Sequence, residues 1–427
     1  MKKQPGTPWS SWQKILFRFF FVFLLLLSLI AYNPIMQVLN LGYYKQEAFF
    51  GNLKELVTWL DHHIFHLGYV PQKHSIDFSD THFGVVLMFT ILAIALISSV
   101  AWTLFDKSKT NYNRLYYWFC NYLAYYIFLA MLPYAVEKVI PIQATYPTAP
   151  QLLSRWGELR RWEVLFRFMG TSPLYCMFCG WLELVASLLI LFNRTRILGG
   201  MLMTLALVQV VCLNIFYNNS VILLSAILLL CTLFIMATTL PKLYTIFIKL
   251  KPVSLAQYRY TFNTPWKKYI MILLCLLPAW RVFNITTNSW KYYTMYVRNQ
   301  QRQRLYNVTI YQQGNDTIPA LTTDTTRWKY VCFLDFSPKN MQIVKFDMQE
   351  KMMNYRCKWD TINNTITFAD RKDTTHRNVF YFKKYPDGNM QLKGDWRGEN
   401  ITMQLNNMPI DSMTLVKDKF LFMQEDQ

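Results

Sequence analysis

The sequence predicts an α-helical polytopic membrane domain of about seven spans, followed by an all-β domain outside the membrane. Two observations lead to this fold class. Seven long apolar stretches lie between residues 15 and 283, and from about residue 300 the chain changes to short segments rich in β-branched and aromatic residues. A bilayer core of roughly 30 Å takes about 20 helical residues to cross, so each apolar stretch fits one crossing.

The apolar stretches and the basic residues between them predict both the spans and their orientation. We place the spans at 15–31, 83–104, 116–136, 174–192, 197–217, 221–239 and 268–283. Lys and Arg alternate between the connecting segments as an inside N-terminus requires, which places 32–82, 137–173 and 284–427 outside. The protein is thus expected to be a multi-pass protein of the inner (plasma) membrane. If 268–283 lay only in the interface, the tail would instead be cytoplasmic.

The first span reads as a retained signal anchor, because no A-x-A cleavage site follows it. Arg18 lies in its first turn and is expected to extend to the cytoplasmic face. Further on, hydrophobic residues recur at three- and four-residue steps from Leu152 to Met169. This pattern predicts an amphipathic helix that lies in the membrane interface on the outer side.

The net charge of +19 does not indicate a nucleic-acid-binding protein. Residues 1–299 hold 26 Lys and Arg against 10 Asp and Glu, whereas 300–427 hold 18 against 15. The excess therefore belongs to loops between spans, where basic residues set orientation and contact anionic lipid. The expected partner is the lipid bilayer, with no nucleic acid.

The tail reads as about eight strands separated by turn signals, which predicts an antiparallel sandwich or small barrel. Its two cysteines, Cys332 and Cys357, would form a disulfide if the tail is outside. No nucleophile elbow, phosphate loop or metal-spaced His/Cys set occurs in the tail, and no complete catalytic signature occurs anywhere in the chain. The sequence therefore assigns no reaction.

Glu183 is the candidate centre of a polar site inside the membrane. An acidic side chain in mid-span costs roughly 2.5–3.5 kcal/mol on insertion scales and should face the bundle interior. Gln209 lies at a similar depth on the next span, Asn214 lies nearer its outer end, and Lys138 ends the third span. These four residues could hold a proton, a quinone head group or a substrate amine. Alternatively, Glu183 is a protonated acid that joins helices, and Lys138 only extends to the interface.

Two weaker patterns concern metal and redox chemistry. His62 and His66 are four residues apart and would share one face of a helix, as paired metal ligands do. Interfacial histidines without a metal account for the same pattern, which lacks the glutamate of HExxH. Cys176 and Cys179 form a CxxC at the outer end of the fourth span, but no βαβ pattern precedes it, so two ordinary apolar cysteines are expected.

The stretch from about 115 to 245 carries motifs whose order and spacing resemble a known family. These motifs are Leu115-Tyr116-Tyr117-Trp118, Tyr134 with Lys138, Phe168-Met169-Gly170-Thr171-Ser172-Pro173-Leu174-Tyr175, Gly180 with Glu183, and Leu213-Asn214. The stretch resembles the DoxX-like integral membrane proteins, in a long form of Bacteroidetes type with a C-terminal extramembrane domain. The resemblance implies a four-helix membrane unit and an association with quinone-linked redox chemistry. Tyr217-Asn218-Asn219 departs from the charged tract that the family would have there.

These observations divide the chain into an N-terminal membrane region (1–114), a DoxX-like unit (115–245), a basic linker with the last span (246–283) and a β-rich extracytoplasmic domain (284–427). The leading hypothesis is a quinone- or redox-associated membrane component. One alternative is a non-catalytic scaffold or assembly factor whose β domain binds a periplasmic protein. Another is a transporter of a small solute or lipid.

Overall fold

The computed structural model describes residues 8–31, 54–68, 80–255, 265–335, 341–370 and 377–417. The chain divides into two compact units. The first contains Met1–Ala144 and Ser172–Ser289, and the second contains Thr145–Thr171 and Trp290–Gln427. The segment between the third and fourth predicted spans therefore belongs to the unit that holds the strands, a division that differs from the one drawn from the sequence.

Eleven helices precede the strands in the described part of the chain. They are α1 (Ser11–Leu26, extended by a π-helical turn Leu27–Ala31), α2 (54–60, extended by a π-helical turn Asp61–Phe65), α3 (His82–Phe105), α4 (Asn113–Val139), α5 (Ala149–Leu153), α6 (Arg161–Thr171), α7 (Pro173–Leu191), α8 (Arg196–Phe216), α9 (Ile222–Met236), α10 (Leu240–Phe247) and α11 (Lys267–Arg302).

Most of the long helices have the length and composition of membrane spans. Within the described residues, six helices are long and apolar enough to cross a membrane, or seven if α9 and α10, bent by 73°, count as one span. This confirms the predicted helical membrane part. The last span was predicted too short, because α11 has 36 residues and is about 54 Å long. Its polar second half continues the helix well beyond the apolar stretch that marked it.

Helix α4 is the most enclosed of the spans, with 72% of its apolar window buried. Leu123, Ile127 and Ala130 are fully buried along it. They belong to a core that also includes Leu24 of α1 and Ile91 of α3. Such all-round burial explains why the sequence of α4 shows no single apolar face.

The expectation for Arg18 is wrong. Instead of extending to the membrane surface, its guanidinium is buried and donates hydrogen bonds to the Tyr112 hydroxyl (2.7 and 3.0 Å), to Thr103 Oγ1 (2.9 Å) and to the Asp106 carbonyl (2.7 Å). The Tyr112 hydroxyl donates in turn to Asp106 Oδ2 at 2.8 Å. The connection between α3 and α4 supplies this set of acceptors, so Arg18 does not need water or lipid head groups.

The second unit contains a closed β-barrel. Its strands are β1 (Arg304–Gln313), β2 (Asp316–Thr317), β3 (Trp328–Asp335), β4 (Met341–Asp347), β5 (Met352–Asp360), β6 (Thr365–Asp370), β7 (Arg377–Lys384), β8 (Met390–Trp396) and β9 (Glu399–Asn407). Every strand pairs antiparallel with its neighbour, and β1 also pairs with β9, so eight strands close into a meander barrel while the short β2 adds to β1. The all-β prediction is confirmed.

The barrel is filled by side chains on its inner face, as is expected for eight strands. Trp328, Phe368 and Phe380 are fully buried there and meet edge to face, with centroids 6.1 Å (Trp328 to Phe368) and 5.1 Å (Phe368 to Phe380) apart. Gly394 of β8 is required by this packing, because a Cβ atom there would lie 2.2 Å from the Val379 carbonyl oxygen. The core is therefore aromatic and closely packed.

The segment that was expected to form one amphipathic helix is broken into three pieces. Helix α5 ends at Leu153, a 3-10 turn spans Trp156–Glu158, and α6 begins at Arg161. Ala149 packs with Cys332 and Phe346 of the strands, on the outer face of the barrel. This contact places the segment in the same compact unit as the strands.

The predicted disulfide between Cys332 and Cys357 is not formed. Cys332 lies on β3 and Cys357 on β5, and β4 runs between them. Neighbouring strands are about 4.8 Å apart, so this arrangement separates the two cysteines by about two strand spacings. Cys332 also packs on the outer face, whereas Cys357 packs against the inner core.

Candidate functional site

Lys138 and Glu183 form a buried ion pair between α4 and α7. The Lys138 ammonium group donates a short hydrogen bond to Glu183 Oε1, and the side chains are only 11% and 5% exposed. Glu183 Oε2 is also buried but has no hydrogen-bond partner among the described residues. The pair is thus enclosed, with one carboxylate oxygen left to accept or hold a proton. Lys138 does not extend to the membrane surface, contrary to the more conservative expectation.

Gly180 makes this pairing possible. It lies one turn before Glu183 on α7, and a Cβ atom there would lie 2.6 Å from the Val139 backbone nitrogen and 2.7 Å from Lys138 Cβ. Only glycine allows the two helix backbones to approach so closely, as small residues do in other membrane helix pairs. Sequence reasoning named Gly180 only as part of the family resemblance and gave it no packing role, although a glycine three residues before a mid-span acid was a usable signal.

The other two residues of the predicted site lie elsewhere. Gln209 is exposed on the outer surface of α8. Asn214 is buried, but its amide donates to Ser225 Oγ at 3.1 Å and its Oδ1 accepts from Asn219 at 3.0 Å. Asn214 therefore ties the α8–α9 turn together, and the structure gathers only Lys138 and Glu183 of the four candidates.

Asp80 stabilises the start of α9 within the same unit. Its two carboxylate oxygens accept hydrogen bonds from the backbone N–H groups of Ile222 (2.6 Å) and Leu223 (2.8 Å). A carboxylate at a helix N-terminus satisfies unpaired donors and interacts favourably with the helix dipole. This link is structural, and it fixes the chain before α3 to the helix that begins about 140 residues later.

The histidine pair does not have the geometry assumed for it. His62 lies in the π-helical turn after α2, and His66 ends that turn in a left-handed conformation with φ of 51°. His62 and His66 therefore do not lie on one face of an α-helix, as their four-residue spacing had suggested. In the described part of the chain no group of three or more His, Cys, Asp or Glu side chains is placed to hold a metal ion.

Cys176 and Cys179 are free thiols near the N-terminal end of α7. Cys176 is fully buried and lies two turns before Glu183, on the same face of the helix, whereas Cys179 is half-buried. No disulfide joins them. In this structure the CxxC pattern therefore forms part of the helix packing beside the ion pair.

A cavity of about 630 Å³ lies far from the ion pair, between α1, α4 and α9. Five of its thirteen lining residues are aromatic, among them Trp9, Phe17 and Phe234. Asn113 stands at its polar rim and accepts a hydrogen bond of 2.8 Å from the Trp9 indole. Because Asn113 and Lys138 lie at opposite ends of α4, this cavity and the ion pair are separate features.

Comparison with known proteins adds no relative. No protein-family model, no curated protein and no solved structure matches the chain. The resemblance to DoxX-like proteins stays a prediction.

Proposed function

We propose that the membrane domain binds a lipid-soluble, acceptor-bearing molecule of the quinone class at Lys138 and Glu183. The observation that carries this proposal is the enclosed ion pair with one unpartnered carboxylate oxygen. Charged side chains within a membrane are costly, and they commonly mark ligand or proton pathways. The resemblance to DoxX-like proteins points toward the same ligand class.

The two side chains offer complementary chemistry to such a ligand. The Lys138 ammonium group has three N–H donors, of which one is used by Glu183, and a quinone carbonyl oxygen is an acceptor. Glu183 Oε2 can accept a hydrogen bond from a hydroxyl of the reduced form, or exchange a proton with it. Binding and proton exchange are what these residues supply.

Packing alone does not account for a charged pair at this place. Replacement of a buried ion pair by well-packed apolar side chains is often neutral or stabilising by about 1–4 kcal/mol. A pair that serves only to join α4 and α7 would be easily replaced. A half-partnered carboxylate is a further cost, which a ligand would offset.

Quinone binding by the purified protein in lipid nanodiscs tests the proposal. We expect ubiquinone-2 or menaquinone-4 to bind with a stoichiometry near one per chain. The double variant K138M/E183L should lose binding at least tenfold, and Gln209→Leu, which removes an exposed polar group from a neighbouring span, should bind like the parent. Equal binding by all three proteins would refute the site.

We further propose that α11 crosses the membrane and that the barrel lies outside the cytoplasm. Support comes from the second unit, because Thr145–Thr171 and the strands pack together and must lie on one side of the membrane. The chain between them contains α7, α8, α9 and α11, so an even number of crossings is needed. The basic loops then put this side outside.

Cysteine labelling tests this topology. Trp156 and Ile362 are 67% and 90% exposed, so a cysteine at either position should react with a membrane-impermeant maleimide. Both W156C and I362C should react in intact right-side-out cells. Labelling of only one of them would contradict the shared side, and labelling of neither until the cells are broken would reverse the orientation.

A second candidate function is a scaffold whose barrel binds an extracytoplasmic protein. A specific observation favours it: Val379 and Tyr381 are two positions apart on the outer face of β7 and are 41% and 63% exposed. Exposed apolar and aromatic side chains on one face of a sheet are typical of an interaction site. Substitution of Tyr381 by Lys should abolish co-purification of such a partner while leaving quinone binding unchanged, which separates the two candidates.

A further inference from the structure

The inner face of the barrel contains a buried lysine within an aromatic cage. Lys345 of β4 is 5% exposed and points to the same side of the strand as Ile343, which belongs to the aromatic core. Its Nζ atom lies 4.7 Å from the centroid of the Trp328 ring and 4.9 Å from that of Trp396. The two indoles are themselves nearly perpendicular, with centroids 4.9 Å apart.

Cation–π contacts are the interactions that the structure gives this ammonium group. Its Nζ atom makes no hydrogen bond and no ion pair within 4.0 Å to any described residue. Burial, and to a smaller extent the nearby Arg397, lower the pKa of Lys345 to about 8, and Asp347 opposes both effects. A buried cation without an acceptor is unusual, because buried charges are normally paired.

Two charged side chains act on the lysine of the cage. Arg397 lies above the Trp396 ring, with its Cζ atom 5.8 Å from the ring centroid. Asp347 is buried near Lys345, and its Oδ1 already accepts a hydrogen bond of 2.8 Å from the Lys351 backbone. Arg397 and Asp347 are thus the two charged groups that act on Lys345, one repulsive and one attractive.

A second donor in the cage also lacks an acceptor. Trp328 is fully buried, and its indole N–H has no hydrogen-bond partner among the described residues. A buried donor without an acceptor is rare in proteins and needs an explanation. A bound group that accepts a hydrogen bond from the Trp328 indole would be such an explanation.

From this geometry we infer that Lys345, Trp328 and Trp396 form a binding site for the acidic group of a small apolar acid. The ammonium and the Trp328 indole N–H donate to the carboxylate, and the aromatic side chains contact the apolar body. Arg397 adds attraction from the rim of the same barrel end. This site is independent of the ion pair in the membrane, and neither requires the other.

Binding of 2-naphthoate to the full-length protein in lipid nanodiscs tests the inference, with empty nanodiscs as the correction for partition into lipid. Its neutral isostere 2-naphthamide is the matched ligand. We expect naphthoate to bind with preference over naphthamide. Lys345→Met should weaken naphthoate binding about tenfold to hundredfold, as expected for loss of a hydrogen bond to a charged group. Lys393→Met, which changes an exposed lysine on β8, should bind like the parent.

The pH dependence of the unaltered protein gives a second test that needs no variant. Naphthoate stays ionised from pH 7 to 10, so its affinity should fall as Lys345 loses its proton above a pKa of about 8. Affinity that is constant over this range would overturn the inference. So would equal binding of naphthamide, undiminished binding to Lys345→Met, or no binding of naphthoate at all.

Discussion

The ion pair between α4 and α7 allows a prediction about stability that separates structural from functional use. Lys138 and Glu183 are 11% and 5% exposed, so removal of one partner leaves the other charge buried and uncompensated. Such a loss costs about 3–5 kcal/mol, while replacement of both partners by apolar side chains of similar volume is often neutral or stabilising. We therefore expect Lys138→Met and Glu183→Leu each to destabilise the first unit by about 3 kcal/mol or more, and the double variant to unfold like the parent.

Denaturation of the purified protein in mixed micelles, followed by far-ultraviolet circular dichroism, measures these differences. Gln209→Leu is the control, because it removes an exposed polar group in a neighbouring span and should change stability by less than about 0.5 kcal/mol. Because the double variant should unfold like the parent, the double-mutant cycle should give a coupling energy of at least about 6 kcal/mol, the sum of the two single losses. Single variants as stable as the Gln209 control would refute the pair as a coupled, buried unit.

Three further predictions concern helix contact, capping and pH. Gly180→Ala should destabilise the α4–α7 contact by about 1–3 kcal/mol in the same denaturation assay, because its Cβ atom would lie 2.6 Å from a backbone nitrogen. Asp80→Ala should cost about 1 kcal/mol through loss of the cap on α9, and Asp80→Asn should recover most of it, whereas equal loss in both would contradict capping. Hydrogen bonds from Lys329 and Arg155 lower the pKa of Glu350. Its contribution to stability is therefore present above the unfolded value near 4.5 and lost as pH falls through the lowered folded value. Thermal unfolding between pH 3 and 6 should show a slope that Glu350→Gln reduces.

The spans could be predicted because the bilayer itself sets their length. A run of about 20 apolar residues is enough to predict a membrane-spanning helix. Each of the seven predicted stretches contains a helix in the structure. The end of α11 could not be found this way, since its second half is polar and continues the helix without an apolar signal. The position of a residue within a predicted span also indicates its depth in the membrane. For this reason Glu183, near the middle of its span, could be recognised as a buried acid.

The partners of these polar residues could not be predicted, because a single sequence does not specify which helix faces meet. Gln209 was expected at the depth of Glu183, but its exposed side chain interacts with Tyr175, whereas Lys138 turns inward to Glu183. A contact between α4 and α7 depends on the close approach at Gly180. This close approach depends on the relative position of the two helix backbones, which the sequence of either helix alone does not specify.

The pairing of distant strands in the barrel could not be predicted from the sequence either. Short segments rich in β-branched and aromatic residues, separated by turn signals, predicted its strands. The closing pair β1–β9 joins the two ends of the meander, and no local sequence pattern indicates it. The disulfide prediction failed because side-chain direction has a period of two, and register decides which face a cysteine occupies. Cys332 and Cys357 fell on opposite faces of strands that do not pair.

Two charged residues in the membrane domain differ in how far their hydrogen bonds are satisfied, and this difference bears on their use. The Arg18 guanidinium donates to Tyr112, Thr103 and the Asp106 carbonyl, and the Asp106 carboxylate is held in turn by Tyr112. Glu183 has one partner and one empty oxygen. A fully satisfied network rigidifies a bundle, whereas a half-satisfied one is less stable than an apolar core. Arg18 is therefore accounted for by structure alone, and Glu183 is the residue for which binding is the better explanation.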